Sequence, residues 1–259
     1  MTHPAYEQLR QVTPLAAVVL ATNPSPMTLE GTNTWLLRAP GTDQSIVVDP
    51  GPDDEAHLQA VLAVSGEVRT ILLTHGHIDH SDGARRMHEL TGAQVRALDP
   101  VHQLGDEGLS DGDVIDAAGV ELRVWATPGH SSDSLSFLLD PRDGGASAVL
   151  TGDTILGRGT TVVAHPDGVL ADYLASLRRL RELGDRTVLP GHGPELASAG
   201  VVAQQYLTHR EQRLEQVRAA LEAGAQTAQE VVEAVYADVD RVLWPAAMMS
   251  VLAQLEYLR

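Results

Sequence analysis

Three histidines and one aspartate fall within six residues in His75-Gly76-His77-Ile78-Asp79-His80. Imidazole suits zinc, copper, iron and nickel, and adding carboxylates without thiolates favours zinc or a harder ion. His75 and His77 are placed to reach one ion while Asp79 and His80 turn toward another. A structural zinc site closes on four ligands, usually with cysteine among them. This chain has no cysteine, and its candidate ligands number seven: His75, His77, Asp79, His80, His130, Asp153 and His192. Two ions with open positions explain that count better; set about 3.5–4 Å apart, they share a hydroxide and polarise a substrate oxygen. The chemistry this arrangement points to is hydrolysis.

The seven have a common local context. An apolar run ends and a polar loop with His or Asp follows at once: Ile71-Leu72-Leu73-Thr74 before His75, Val124-Trp125-Ala126-Thr127-Pro128-Gly129 before His130, Ala148-Val149-Leu150-Thr151-Gly152 before Asp153, and Val188-Leu189-Pro190-Gly191 before His192. Loops at one edge of a rigid sheet point side chains at a common centre. A lone histidine is more often structural or exposed, and that plain reading is given to His3, His57, His88, His102 and His209. Asp153 could also serve as a helix cap.

Around the seven, Asp49 reads equally as a turn former before Pro50-Gly51 and as an acceptor holding the His75 loop. Asp133 is expected to orient a ligating imidazole. Asn33, Thr34 and Arg158 are expected to line the substrate cleft; Arg158 suits a phosphate or carboxylate.

Strands are predicted at 18–21, 34–38, 45–48, 70–73, 95–98, 120–126, 135–139, 148–150 and 187–189. Runs such as Ile46-Val47-Val48 are continuous rather than alternating, which suits strands covered on both faces. Helices are predicted at 54–64, 81–90 and 171–183, giving an α/β or layered α+β domain over residues 1–200. A helical tail follows at 201–259: a long amphipathic helix to about 224, a second over 228–236 with Thr227 and Glu230 as a capping box, and a last one from Pro245. That tail is small for an independent domain.

Composition narrows the partners. The formal charge is −17, and all 18 bases are arginine. Excess acid opposes a polyanion or an anionic membrane surface unless a local basic patch exists. Thiol chemistry and disulfides are excluded. No leader or membrane-spanning run is visible, so a cytoplasmic protein is expected.

The His75-X-His77-X-Asp79-His80 motif, followed in order by His130, Asp153 and His192, resembles the metallo-β-lactamase superfamily. The resemblance implies a four-layer αβ/βα sandwich. It implies that one zinc takes His75, His77 and His130, that a second takes Asp79, His80 and His192, and that Asp153 bridges both. A metal-bridging hydroxide would then be the nucleophile, with Asp79 orienting it or accepting its proton. Manganese or iron suits the same ligands. Lack of cysteine argues against the true zinc β-lactamases.

A narrower resemblance rests on Asn23-Pro24-Ser25-Pro26-Met27-Thr28-Leu29-Glu30-Gly31-Thr32-Asn33-Thr34, Val48-Asp49-Pro50-Gly51, Gly157-Arg158-Gly159-Thr160-Thr161-Val162-Val163 and Leu189-Pro190-Gly191-His192-Gly193-Pro194. These resemble the β-lactamase-like protein 2 family, which implies a winged-helix-like tail whose β-wing is expected to be missing here. Family members include a single-strand-selective endoribonuclease and fungal thioesterases that release polyketides from a carrier protein. The first expectation is therefore phosphodiester hydrolysis in single-stranded RNA. The alternative is hydrolysis of a small-molecule ester or thioester. A metal-sensing, DNA-binding protein is disfavoured by the acidic tail. A homodimer through the tail is a further expectation.

Overall fold

The computed structural model describes residues 5–142 and 145–259; His3 lies outside them. Eleven strands among the described residues form two sheets. The first runs in chain order: β1 Leu9–Thr13, β2 Ala16–Leu20, β3 Asn33–Leu37, β4 Gln44–Val48, β5 Glu67–Leu72 and β6 Val95–Arg96. The second is ordered β11-β10-β9-β8-β7, from β7 Val114–Ala117, β8 Val120–Ala126, β9 Leu135–Asp140, β10 Ala148–Gly152 and β11 Thr187–Pro190. Most neighbours are antiparallel; β4–β5, β5–β6 and β10–β11 are parallel.

The continuous apolar runs explain the layering. Ile46 and Val48 face the second sheet, among Leu72, Leu122, Phe137 and Leu150. Val47, between them, faces outward into a cluster with Leu58, Val61, Ile71 and Met87. That cluster is closed by helices α1 (Glu55–Ser65) and α3 (Gly83–Thr91). On the far side Leu138, Val149 and Val188 pack under α4 (Leu170–Arg181) and α5 (Ala199–Glu222). Both faces of each sheet are thus covered, which gives the four-layer αβ/βα order.

Two strands lie outside the predicted set. β1 is LRQVT and β7 is VIDA, both sheet edges with exposed residues. An edge strand needs little apolar signal, because one side faces water. The helix predicted at 81–90 is α3, which starts at Gly83, and a one-turn helix α2 (Ile78–Ser81) precedes it across Asp82. Asp54 caps α1 by accepting from Ala56 N and His57 N. The Thr227–Glu230 capping box opens α6 (Ala228–Val235).

α5 serves two cores. Its first half places Ala203, Tyr206 and Leu207 against α4, while Val217 packs with Val231, Val232 and Val251 of α6 and α7 (Trp244–Tyr257). A boundary at residue 200 therefore passes close to the start of a helix that both units share. Among the described residues after β11 there is no strand. No helix among them is long and apolar enough to cross a membrane.

Candidate metal centre

The seven predicted ligands come from four strand ends of the two sheets. β5 leads into the 73–77 loop, and the α2 turn then presents Asp79 and His80. His130 follows β8, Asp153 follows β10 and His192 follows β11. Two close approaches make this convergence possible. Gly129 has φ +132, and a side chain there would meet Tyr173 backbone at 2.3 Å. A Cβ on Gly191 would lie 2.6 Å from Asp153 Oδ1 and 2.7 Å from His80 Cε1.

The ligating atoms form two groups. His77 Nδ1 lies 3.0 Å from His75 Nε2 and 3.0 Å from His130 Nε2. His192 Nε2 lies 3.1 Å from His80 Nε2 and 3.1 Å from Asp79 Oδ2. Asp153 touches both: Oδ2 is 3.7 Å from His130 Nε2 and 3.5 Å from His192 Nε2, while Oδ1 is 3.4 Å from His80 Nε2. Asp153 Oδ1 is buried with no hydrogen-bond partner among the described residues.

The far side of four rings sets which nitrogen is free. His80 Nδ1 faces Asp49 Oδ2 at 2.9 Å, His130 Nδ1 faces Val162 O at 2.7 Å, and His192 Nδ1 faces Gly31 O at 3.0 Å. His75 Nδ1 faces Thr74 Oγ1 at 3.0 Å, and that hydroxyl gives its own proton to Asp49 Oδ2 at 2.7 Å. Each Nδ1 therefore carries a proton, and each ring turns its Nε2 inward as the atom that can bind a metal. Converging ring nitrogens and carboxylates, with Asp153 Oδ1 lacking a hydrogen-bond partner, call for positive charge among them, from a proton or from a metal ion. The residues fit a divalent metal site, with His75/His77/His130, His75/His80/Asp153 and Asp79/His80/His192 each able to hold an ion.

The electrostatics divide the groups. Burial pushes His75 well down, and His80 adds to the effect; burial also lowers His130. These rings stay neutral and ready to bind. For His80, burial works downward, but Asp153 and Asp49 raise it well above the usual value. His192 is likewise raised to about 9, with Asp153 and Asp79 overcoming burial. Burial would raise Asp153, yet His192 and His80 hold it well below the carboxylate range. Burial also opposes ionisation of Asp79, but His192 and His80 lower it. The carboxylates draw positive charge toward His80 and His192, the same demand a divalent cation meets.

Asp49, 1% exposed, performs two jobs at once. Its φ is +52, the left-handed turn before Pro50. Its Oδ1 accepts from Thr74 N at 2.8 Å, so the same carboxylate anchors the His75 loop and the His80 ring. Asp133 accepts from Ser131 Oγ at 2.7 Å, and among the described residues no hydrogen bond joins it to an imidazole. Asn33 and Thr34 are buried in the scaffold. Asn33 Nδ2 donates to Pro190 O and Gly193 O, and Thr34 Oγ1 donates to Asp49 O. Arg158 is half exposed and pairs with Glu30.

A cavity of about 330 Å³ opens from His130 and Asp153 toward the tail. Its walls include Met27, Leu29 and Leu156 on one side and Val239, Leu243 and Ala247 on the other. Arg158 lines it, as do His209, Arg210 and Arg213 of α5. A larger cavity of about 450 Å³, beside Arg10, Glu30 and Glu195, contains none of the seven ligands. The α5 residues escaped sequence reasoning, although one signal was there. Arg210 interrupts the buried stripe Ala203-Tyr206-Leu207-Leu214-Val217.

Two facing sheets with outer helices, and a His/Asp centre at their strand ends, define a metallohydrolase fold. The profile of the Metallo-beta-lactamase superfamily matches residues 27–192, and the chain belongs to that superfamily. A second profile, Beta-lactamase associated winged helix domain, matches residues 227–259. Within the superfamily the chain is 31% identical to a Beta-lactamase-like protein 2 homolog of Caenorhabditis elegans, across 97% of this chain and 85% of that one. It is 32% identical to an Atrochrysone carboxyl ACP thioesterase of Aspergillus fumigatus, across 90% of this chain and 77% of the relative. The crystal structure of a metallo-beta-lactamase family protein from Thermus thermophilus is similar at a TM-score of 0.78 and 26% identity, covering 95% and 94% of the two chains.

Proposed function

We propose that this protein hydrolyses acyl thioesters or esters with two divalent metal ions, zinc foremost. The observation that carries this reading is the cavity, which starts at His130 and Asp153 and continues between apolar walls to the tail. Such walls suit an acyl chain better than a ribose-phosphate backbone. The −17 charge and the pairing of Arg158 with Glu30 weigh the same way. A relative matched over 77% of its length is named a thioesterase.

His75, His77 and His130 would hold one ion, Asp79, His80 and His192 the other, and Asp153 would bridge them. Bound there, the ions supply an activated water at neutral pH and polarise the substrate carbonyl. The chain's own groups do the rest. Asp79, its side chain 25% exposed beside His192, stays ionised and accepts a hydrogen bond from the attacking water. Asp49 keeps the Nδ1 proton on His80, leaving Nε2 free for the metal. The tail and the 27–29 loop exclude solvent around the acyl group.

Parallel assays on acyl thioesters and on labelled single-stranded RNA test this, with Asp79→Ala as control. Thioester hydrolysis that disappears in Asp79→Ala is the expected result. Cleavage of RNA alone, lost in the same variant, would overturn the substrate class. Failure to take up metal under any loading condition would overturn the enzyme reading.

A further inference from the structure

Arg210 carries a charge that the protein leaves unmatched. It is 3% exposed, deep on the inner face of α5. Among the described residues no carboxylate lies within ion-pair distance of Arg210 or Arg213, although the chain has 35 acids for 18 arginines. The partners of Arg210 are neutral. It donates to Thr161 O, and its guanidinium carbon sits 5.1 Å from the centre of the Tyr173 ring. Its Nε is a buried donor without an acceptor. Arg213 donates to Val235 O and Gln216 Oε1 and stacks 4.5 Å from the Tyr236 ring centre. His209 beside them is pushed down to about 4 by burial and by the two arginines, so it adds no charge at neutral pH.

Buried charges are normally paired, because removing an ion from water is costly. A guanidinium that loses its water and gains no anion is a site waiting for one. Both arginines line the cavity that begins at His130 and Asp153. We propose that Arg210, aided by Arg213, binds a carboxylate on the acyl part of the substrate, so that the preferred substrate is an acyl thioester with a second, anionic end. The apolar walls then hold the chain between the scissile carbonyl at the metals and its carboxylate at α5. The inference rests on the reading of the cavity as an acyl site. It adds a specificity that the metal ligands cannot provide.

Glutaryl and pentanoyl thioesters of N-acetylcysteamine have equal chain lengths and differ in the terminal carboxylate. The metal-loaded protein is expected to prefer the glutaryl ester by about tenfold or more in kcat/KM, mainly through KM, the scale of one charged hydrogen bond. Arg210→Met should reduce that preference to near unity. Its loss of the Thr161 contact alone would slow both esters alike. If Arg210→Met does not fold, Arg213→Met should lower the same ratio. A second measurement needs no catalysis: glutarate should raise the melting temperature of metal-free wild type, and uncharged pentanamide at the same concentration should not. Equal rates for the two esters, or equal melting shifts, would overturn the proposal. If neither thioester is hydrolysed, the acyl-ester reading fails, and the melting shift alone decides whether the anion site exists. Protection by single-stranded RNA without protection by glutarate would also overturn it, making phosphate the anion.

Discussion

Replacing Asp49 with asparagine tests how the centre sets its protonation. Oδ1 must remain an oxygen, because Thr74 N–H donates to it at 2.8 Å. The amide nitrogen then falls at the Oδ2 position, 2.7 Å from Thr74 Oγ1 and 2.9 Å from His80 Nδ1. The threonine hydroxyl can turn and accept. His80 Nδ1–H cannot, so two donors face each other at the ring. The ring escapes by moving its proton to Nε2, the nitrogen that faces Asp79, Asp153 and His192. A protonated Nε2 cannot bind metal. Losing a hydrogen bond to a charged group costs about 1.5–3 kcal/mol, or roughly 10- to 100-fold in affinity, which matches the usual effect of altering groups behind metal ligands. Asparagine also tolerates the left-handed φ at this position, so the turn should survive. Competition with a chromophoric chelator should show one metal equivalent weakened by that factor. The equivalent at His75, His77 and His130 should change less, since its link to Asp49 runs through Thr74. Two unchanged equivalents would refute the idea that Asp49 selects the His80 tautomer.

Other perturbations probe separate links. Gly191→Ala needs no unusual backbone angle, but its methyl would press on Asp153 Oδ1 and His80 Cε1; metal affinity should fall at least about tenfold, as for a misplaced ligand, with far-UV circular dichroism unchanged. His209 has a folded-state pKa of about 4 against a usual 6.5, so the unfolded chain takes up the proton first as pH falls. Stability should therefore decline between pH 6.5 and 4, by about 1–2 kcal/mol after allowance for screening at this half-buried ring. Urea melts of His209→Gln should lack that component of the slope. Tyr206→Phe removes the hydroxyl that accepts from Leu156 N and donates to Leu156 O; it should cost about 1–2 kcal/mol in urea denaturation and lower kcat by loosening the loop after Asp153.

The ligand motif was legible because it is local. His75 to His80 lie in one loop and its α2 turn, and so dense a run of imidazole and carboxylate side chains has little use in a loop that binds no metal. The buried strands were legible because covering both faces forces continuous apolar runs such as Ile46-Val47-Val48. The edge strands β1 and β7 escaped because half-exposed backbone needs no such run. Thr34 escaped for another reason: a threonine beside a functional motif reads alike whether it meets substrate or, as here, holds Asp49 O.

By itself, then, the sequence determined the superfamily, the layered α/β class and a seven-residue His/Asp set, all encoded in short-range pattern. Only the tertiary structure decided how the set divides. Asp153 touches both groups because β8, β10 and β11 end at one edge, and three of the imidazoles turn Nε2 inward because distant acceptors occupy Nδ1. It also decided that α5 forms a wall of the cleft and leaves Arg210 beside the centre without an anion. Those relations join residues far apart in the chain, and no local spacing records them.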